Sequence, residues 1–221
     1  MNTLKSPAVS ALLDRLYAAA HETDAVVLPQ LRAERERLGG APPNATLTDL
    51  AGRAYTPVNP DVGRLLYQLV RTVRPKLVVE FGMSLGISAI HLSAALADNR
   101  AGRLVTTELF AAKAESAREH LREAGLLDRV EIQVGDALET LKAGLGQPID
   151  VLLLDGWKDL YLPMLSVLEP YLVPGSLVIA DDTCLMPTEL APFLAYVRDP
   201  SNGYTSVALP MDDGIELSVR D

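Results

Sequence analysis

Apolar positions at helical spacing open the chain, and short continuous apolar runs dominate the rest. Ser6-Pro7 is a helix start, a capping residue followed by proline at the first helical position. Leu12, Leu13, Leu16, Ala19 and Ala20 then recur on one helical face. A second, polar helix is predicted over about 29–38, charge-laced by Arg32, Glu34, Arg35, Glu36 and Arg37 and ended by Gly39-Gly40. Ala41-Pro42-Pro43-Asn44 reads as a loop. From Asn59-Pro60, which opens a helix bearing Leu65, Leu66, Leu69 and Val70, the pattern becomes strand–helix alternation. Apolar runs fall at 77–81, 104–107, 130–134, 151–154 and 176–180. Helical segments separate them, over about 86–97, 111–124, 137–143 and 159–172, and a further helix covers about 188–198. Such strands imply a parallel sheet buried on both faces. Two last strands, 204–210 and 214–219, flank Asp213-Gly214, a hairpin signal. The expected fold is therefore α/β, with a seven-stranded, mostly parallel sheet ending in an antiparallel hairpin. Residues 1–53 form a helical extension and 54–221 the main domain.

Composition narrows the classes. Twenty basic and 29 acidic side chains in 221 residues leave a net charge of −9. That acidity disfavours nucleic acid, whose binding is driven by released counterions. No apolar run is long enough to span a bilayer, and residues 1–7 lack the apolar stretch of a signal peptide. Cys184 is the single cysteine, which excludes an internal disulfide and a cysteine-rich metal site. A cytoplasmic protein with no membrane or nucleic-acid partner is the expectation.

In open α/β sheets ligands bind beyond the carboxyl ends of the strands, so the residues there are read together. The first run leads into Glu80-Phe81-Gly82-Met83-Ser84-Leu85-Gly86. Its G-x-x-x-G spacing differs from the G-x-G-x-x-G of dinucleotide-binding folds. A carboxylate at Glu80 repels a pyrophosphate but accepts from an ammonium group, which favours S-adenosylmethionine over NAD. Glu108 ends the second run, where an acid can accept both ribose hydroxyls; the alternative is a surface glutamate. Asp136 follows the third run and can accept the adenine amine, cap the next helix, or both. Asp155 ends the fourth run and Asp181-Asp182 the fifth. Three adjacent carboxylates repel unless a cation neutralises them, and hard oxygen donors suit Mg²⁺ or Mn²⁺. Loop and capping roles are the alternative. His21, His91 and His120 lie away from the strand ends and read as structural or surface residues. Cys184 reads as a small buried hydrophobe.

The run from Val79 to Ala89, together with Asp155-Gly156-Trp157-Lys158-Asp159-Leu160-Tyr161-Leu162-Pro163 and Ala180-Asp181-Asp182, resembles catechol O-methyltransferase and its bacterial relatives. It is more distantly similar to the caffeoyl-CoA O-methyltransferases. The resemblance covers about residues 54–219, and the Trp-Lys-Asp-x-Tyr-Leu-Pro stretch is its most specific part. It implies a Rossmann-like class I methyltransferase fold and transfer of a methyl group from S-adenosylmethionine to a small hydroxylated aromatic substrate. It sets Glu80, Gly82, Ser88 and the backbone around Val58 near the methionine end of the cofactor. Glu108 holds the ribose and Asp136 the adenine edge, while Asp155 and Trp157 border the methyl donor. Asp155, Asp181 and Asp182 become the metal ligands and Lys158 the general base. Three departures stand out. Asp182 occupies a position that is commonly Asn. Thr205-Ser206-Val207 offers no carboxylate where animal enzymes carry a glutamate for the second hydroxyl. Gly156 replaces a larger residue. The N-terminal helices become a cap over the substrate mouth or a homodimer contact. The rival readings are a methyltransferase with another acceptor and a cofactor-binding protein without methyl transfer.

Overall fold

A computed structural model describes residues 2–39 and 43–221 of the chain. Strands β1 (Leu77–Phe81), β2 (Arg103–Glu108), β3 (Val130–Val134), β4 (Ile149–Leu154), β5 (Leu172–Ala180), β6 (Tyr204–Leu209) and β7 (Ile215–Arg220) form one sheet. Its order is β3-β2-β1-β4-β5-β7-β6. β1 to β5 pair in parallel; β7 runs antiparallel to both β5 and β6. The seven-stranded sheet with a terminal antiparallel hairpin is thus as the apolar pattern predicts. The strand order reverses between β1 and β4, so their carboxyl ends open a crevice.

The α-helices of the described residues are α1 (Pro7–Leu38), α2 (Ala45–Arg53), α3 (Pro60–Val73), α4 (Ile87–Asn99), α5 (Ala111–Glu123), α6 (Ala137–Thr140), α7 (Tyr161–Leu168) and α8 (Pro187–Arg198). Alternate residues of the central strands face opposite ways. Val78, Val151 and Leu153 join a core with α1, α3, α4 and α5; Val79, Leu152 and Leu154 join one with α6, α7 and α8. Both sheet faces are therefore dry, which is why these strands read as continuous apolar runs. Leu12, Leu13 and Leu16 of α1 are buried in the first core. The N-terminal helix is packed into the sheet's covering layer.

Two expectations are corrected in the N-terminal region. The predicted break before residue 29 does not occur, and α1 runs through Pro29 as one helix. Proline removes one backbone bond and normally kinks or ends a helix. Here Val27 is buried in a small core with Leu50 and Ala54, against which Leu28 and Leu31 pack, and this burial carries the helix past the proline. The second difference is α2, which has no counterpart in the predicted pattern. Asn44 caps it by accepting from the Leu47 N–H at 2.8 Å, and Leu47, Leu50 and Ala51 are buried. Gly39 ends α1 in the left-handed conformation as expected; Gly40, Ala41 and Pro42 lie outside the described residues. Farther on, the predicted helix 159–172 is shorter, because β5 already begins at Leu172. Among the described residues no helix is long and apolar enough to cross a membrane.

Candidate active site

Parallel pairing brings the ends of β1, β4 and β5 side by side. The Asp155 N–H donates to the Phe81 carbonyl at 2.9 Å, and the Asp181 N–H donates to the Leu154 carbonyl at 3.0 Å. These two bonds set Asp155 and Asp181 at adjacent strand ends. Carboxylate oxygens of Asp155, Asp181 and Asp182 all lie within 4.8 Å of one another. Asp182 adopts a left-handed backbone, φ +59°, a conformation that Asp and Asn tolerate better than most residues. Its N–H donates to Asp181 Oδ1 at 2.9 Å.

Lys158 is buried against this cluster. Its Nζ lies 2.8 Å from Asp182 Oδ2 and 3.6 Å from Asp155 Oδ1, and it donates to Tyr161 Oη at 2.8 Å. The Tyr161 hydroxyl in turn donates to the Asp181 carbonyl at 3.1 Å. One buried chain of contacts thus joins the lysine to all three acids. Burial disfavours the ammonium, but Tyr161, Asp155 and Asp182 outweigh it and hold the Lys158 pKa above its ordinary value. Burial, reinforced by Asp181, pushes Asp155 well above the usual carboxylate range. Burial and Asp182 push Asp181 up to about 7.

The sign of the Asp181 shift gives a stability prediction. A carboxyl raised in the folded state contributes stability that is full below the unfolded pKa, near 4, and lost as pH rises through about 7. Asp181→Asn removes that titration. In metal-free buffer the variant's melting temperature is expected to gain on wild type by on the order of 5 °C between pH 5 and pH 8. Added Mg²⁺ is expected to reverse the gain. A pH-independent difference would show that Asp181 is not under this strain.

The first glycine turn has a steric explanation. Gly82 has φ +93°, and a Cβ there would stand 2.6 Å from the Asp155 carbonyl oxygen. The turn after β1 and the end of β4 are in backbone contact. Gly86, φ +89°, starts α4 and packs on Ala117 of α5. Gly156 is explained by Phe81, whose ring would meet a Cβ at 2.5 Å. The aromatic ring at the end of β1 fills the space that a larger residue at 156 would take.

Glu80 is fully buried in the same crevice. Its Oε2 accepts from the Thr106 hydroxyl at 2.5 Å, while Oε1 has no partner. Burial raises its pKa to about 7, against the pull of Ser88 and Thr106. Ser88 is buried in the first turn of α4. Glu108 closes β2, accepting from the Ser84 N–H at 2.8 Å and the Phe110 N–H at 2.9 Å. Asp136 is exposed and caps α6 through the Leu138 N–H at 2.9 Å. Val58 is buried in the segment before α3 and lines a cavity of about 520 Å³ with Asp24, Arg32, Asn59 and Asp212.

Several participants escape a reading of the sequence. Asp24 of α1 accepts from the Tyr55 and Thr56 N–H groups at 2.7 and 2.8 Å, pinning the segment that leads to Val58. Ser84 donates to the Tyr55 carbonyl at 2.5 Å, tying that segment to the glycine turn. Asp212 and Asp213 lie in the β6–β7 turn, and each brings an oxygen within 4.8 Å of Asp182. The only available signal was Asp-Asp-Gly, which reads as a turn. Thr205-Ser206-Val207 supplies no carboxylate, and the Ser206 hydroxyl is spent on Glu216 at 2.6 Å. Cys184 is exposed, contrary to its reading as a buried hydrophobe. Its N–H donates to the Asp213 carbonyl at 2.7 Å, and this bond holds the loop at the surface of the hairpin. His91 is buried between α1, α3 and α4, 3.4 Å from the Tyr17 hydroxyl and above Gly63; His120 contacts the Leu85 carbonyl at 2.9 Å.

The sheet order, the glycine turn under a strand-end carboxylate and the acidic cluster define a Rossmann-like methyltransferase domain. Residues 79–183 match a family model described as a methyltransferase domain. Catechol O-methyltransferase of Mus musculus is 34% identical over 169 residues, covering 71% of this chain and 62% of that protein. The Sus scrofa enzyme of the same name is 38% identical over 148 residues, covering 62% of this chain and 77% of that protein. The O-methyltransferase TomG from Streptomyces achromogenes, solved with S-adenosylmethionine, superposes with a TM-score of 0.69 at 28% identity. That match covers 75% of this chain and 82% of TomG. The chain spans about three fifths of the length of the mouse relative. It belongs to the catechol O-methyltransferase-like family of class I O-methyltransferases.

Proposed function

We propose that the chain transfers the methyl group of S-adenosylmethionine to one hydroxyl of a small vicinal dihydroxy aromatic, with a divalent metal. The observation that carries this reading is the cluster of Asp155, Asp181 and Asp182 with the Lys158 ammonium 2.8 Å from Asp182.

The cofactor fits the crevice. Glu80 Oε1 is a buried acceptor without a donor, and a methionine ammonium supplies one. Gly82 leaves room that any side chain would close. Glu108 uses one lone pair of each oxygen on backbone N–H groups and keeps the others for ribose hydroxyls. Val58 and Ser88 complete the methionine end, and Asp136 serves the adenine edge as well as capping its helix. Trp157 forms a wall beside the donor.

The donor set fits a metal. Three hard carboxylate oxygens within 4.8 Å, two of them, on Asp155 and Asp181, raised in pKa by burial and then by their acidic neighbours, suit Mg²⁺ or Mn²⁺. When bound, such a cation supplies the charge that makes a substrate hydroxyl more acidic. The chain's own part is to bring hydroxyl oxygen, methyl carbon and sulfur into line and to receive the proton at Lys158 Nζ. Asp155 and Asp182 would hold such a cation, and with their charge so engaged Lys158 Nζ would be held less tightly and could receive the proton.

The direct test is to incubate the protein with S-adenosylmethionine, Mg²⁺ and a panel of catechols, and to look for methylated product by mass spectrometry. No product from any catechol would overturn the acceptor class. Cofactor binding is tested separately. Glu108→Ala is expected to weaken S-adenosylhomocysteine about ten- to a hundredfold by calorimetry, the cost of a lost charge-assisted bond. Unchanged affinity would remove Glu108 from the ribose site.

A further inference from the structure

We infer that Arg35 of the N-terminal helix is the specificity-determining residue for an acidic group on the aromatic substrate, so that the chain selects catechols bearing a carboxylate. This rests on the catechol reading above and adds which catechols are taken.

Arg35 reaches across to both loops that carry the acidic cluster. Its guanidinium carbon stands 5.3 Å above the Trp157 ring, between Asp155 and Lys158 in sequence. Its Nη1 lies 3.4 Å from Met186 Sδ, four residues beyond Asp182. These contacts fix the position of the group while leaving its donors nearly free. A guanidinium has five N–H donors, and a thioether sulfur is a weak acceptor. Among the described residues no carboxylate forms an ion pair with Arg35, whereas its neighbour Arg37 pairs with Glu34 at 2.6 Å. A partly buried, oriented and unpaired guanidinium in a chain of net charge −9 has a use for an anion.

The surrounding charge gives that use a direction. Asp155, Asp181, Asp182, Asp212 and Asp213 line one side of the site. They repel an acidic substrate unless a fixed cation answers its charge. Arg35 stands over the face of Trp157, which lies in the loop between Asp155 and Lys158. Arg32, one turn earlier on the same helix, lines the adjoining cavity with Val58 and Asp212. A flat aromatic lying along Trp157 with its hydroxyls at the aspartates directs its far substituent toward the guanidinium. A planar carboxylate there accepts two parallel N–H bonds.

The test compares 3,4-dihydroxybenzoate with unsubstituted catechol. In wild type the acid is expected to have the higher kcat/KM. Arg35→Met is expected to lower kcat/KM for the acid about ten- to a hundredfold, through KM, and to leave catechol nearly unchanged. Arg35→Lys restores part of the loss by charge alone. Equal losses for the two substrates, or none, would overturn the inference. Calorimetry separates its failure from that of the functional reading. With S-adenosylhomocysteine and Mg²⁺ present, tighter binding of the acid that disappears in Arg35→Met supports the anion site even if neither compound is methylated. Indifference of binding to the substitution sinks it even if both are.

Discussion

Removal of divalent metal with EDTA is expected to abolish methyl transfer, and Mg²⁺ or Mn²⁺ to restore it. Asp155→Ala and Asp181→Ala are expected to behave like the chelated enzyme at all metal concentrations. The physical reason lies in the strand ends. The N–H groups of Asp155 and Asp181 are committed to the Phe81 and Leu154 carbonyls, so backbone pairing holds both carboxyls in place. Burial disfavours both charges, and the neighbouring aspartates add repulsion to it. Only a cation relieves both at once. Losing either ligand removes that cation and the acidification of the substrate hydroxyl, a loss of several orders of magnitude in kcat. Melting curves with and without Mg²⁺ separate loss of metal from loss of fold. Full activity in EDTA would leave the three acids as structural residues.

Lys158→Met is expected to lower kcat about 10²- to 10⁴-fold, the usual cost of a missing general base, with S-adenosylhomocysteine affinity near wild type. A group that acts in the transition state lowers kcat and kcat/KM together; one used in uniform binding raises KM alone. A nitrocatechol, already ionised near neutral pH, is expected to lose less rate in the variant than catechol does. Equal losses would assign Lys158 a charge or positioning role. The contacts of Lys158 sharpen the expectation. Its ammonium is held by Asp182 at 2.8 Å and Tyr161 at 2.8 Å, so in the metal-free protein it keeps its proton. Asp182 in place of the common Asn strengthens that hold. Asp182→Asn is therefore expected to shift the alkaline limb of the pH–rate profile, a readout that simple unfolding does not mimic.

The sheet was legible because both its faces are covered. Val78, Val151 and Leu153 serve one core and Val79, Leu152 and Leu154 the other, so neither face needs polar residues and the strands stand out as unbroken apolar runs. The hairpin was legible from Asp213-Gly214, since a positive φ at Gly214, +89°, is a local requirement. Helix limits near residue 29 were not. The local preference of Pro29 is to start or break a helix, and it was overridden by burial of Val27 beside Leu50 and Ala54, a contact that local propensity does not encode. α2 escaped for the same reason, since its Leu47, Leu50 and Ala51 form an apolar face that has meaning only against α1.

The sequence by itself determined the strand-end acids, because each follows its apolar run directly and parallel pairing must align the ends. Asp155 and Asp181 are in this group. Tertiary structure alone decided which partners they meet. Asp212 and Asp213 approach Asp182 from a turn some 30 residues on, as the register of β7 against β5 requires. Phe81 dictates glycine at 156 across the β1–β4 pair. Asp24 holds the backbone at Tyr55 and Thr56, and Arg35 spans to Trp157 and Met186 over a separation of more than a hundred residues. Periodicity reports which face of an element is buried. The identity of the groups brought against that face depends on packing between elements, which no local pattern contains.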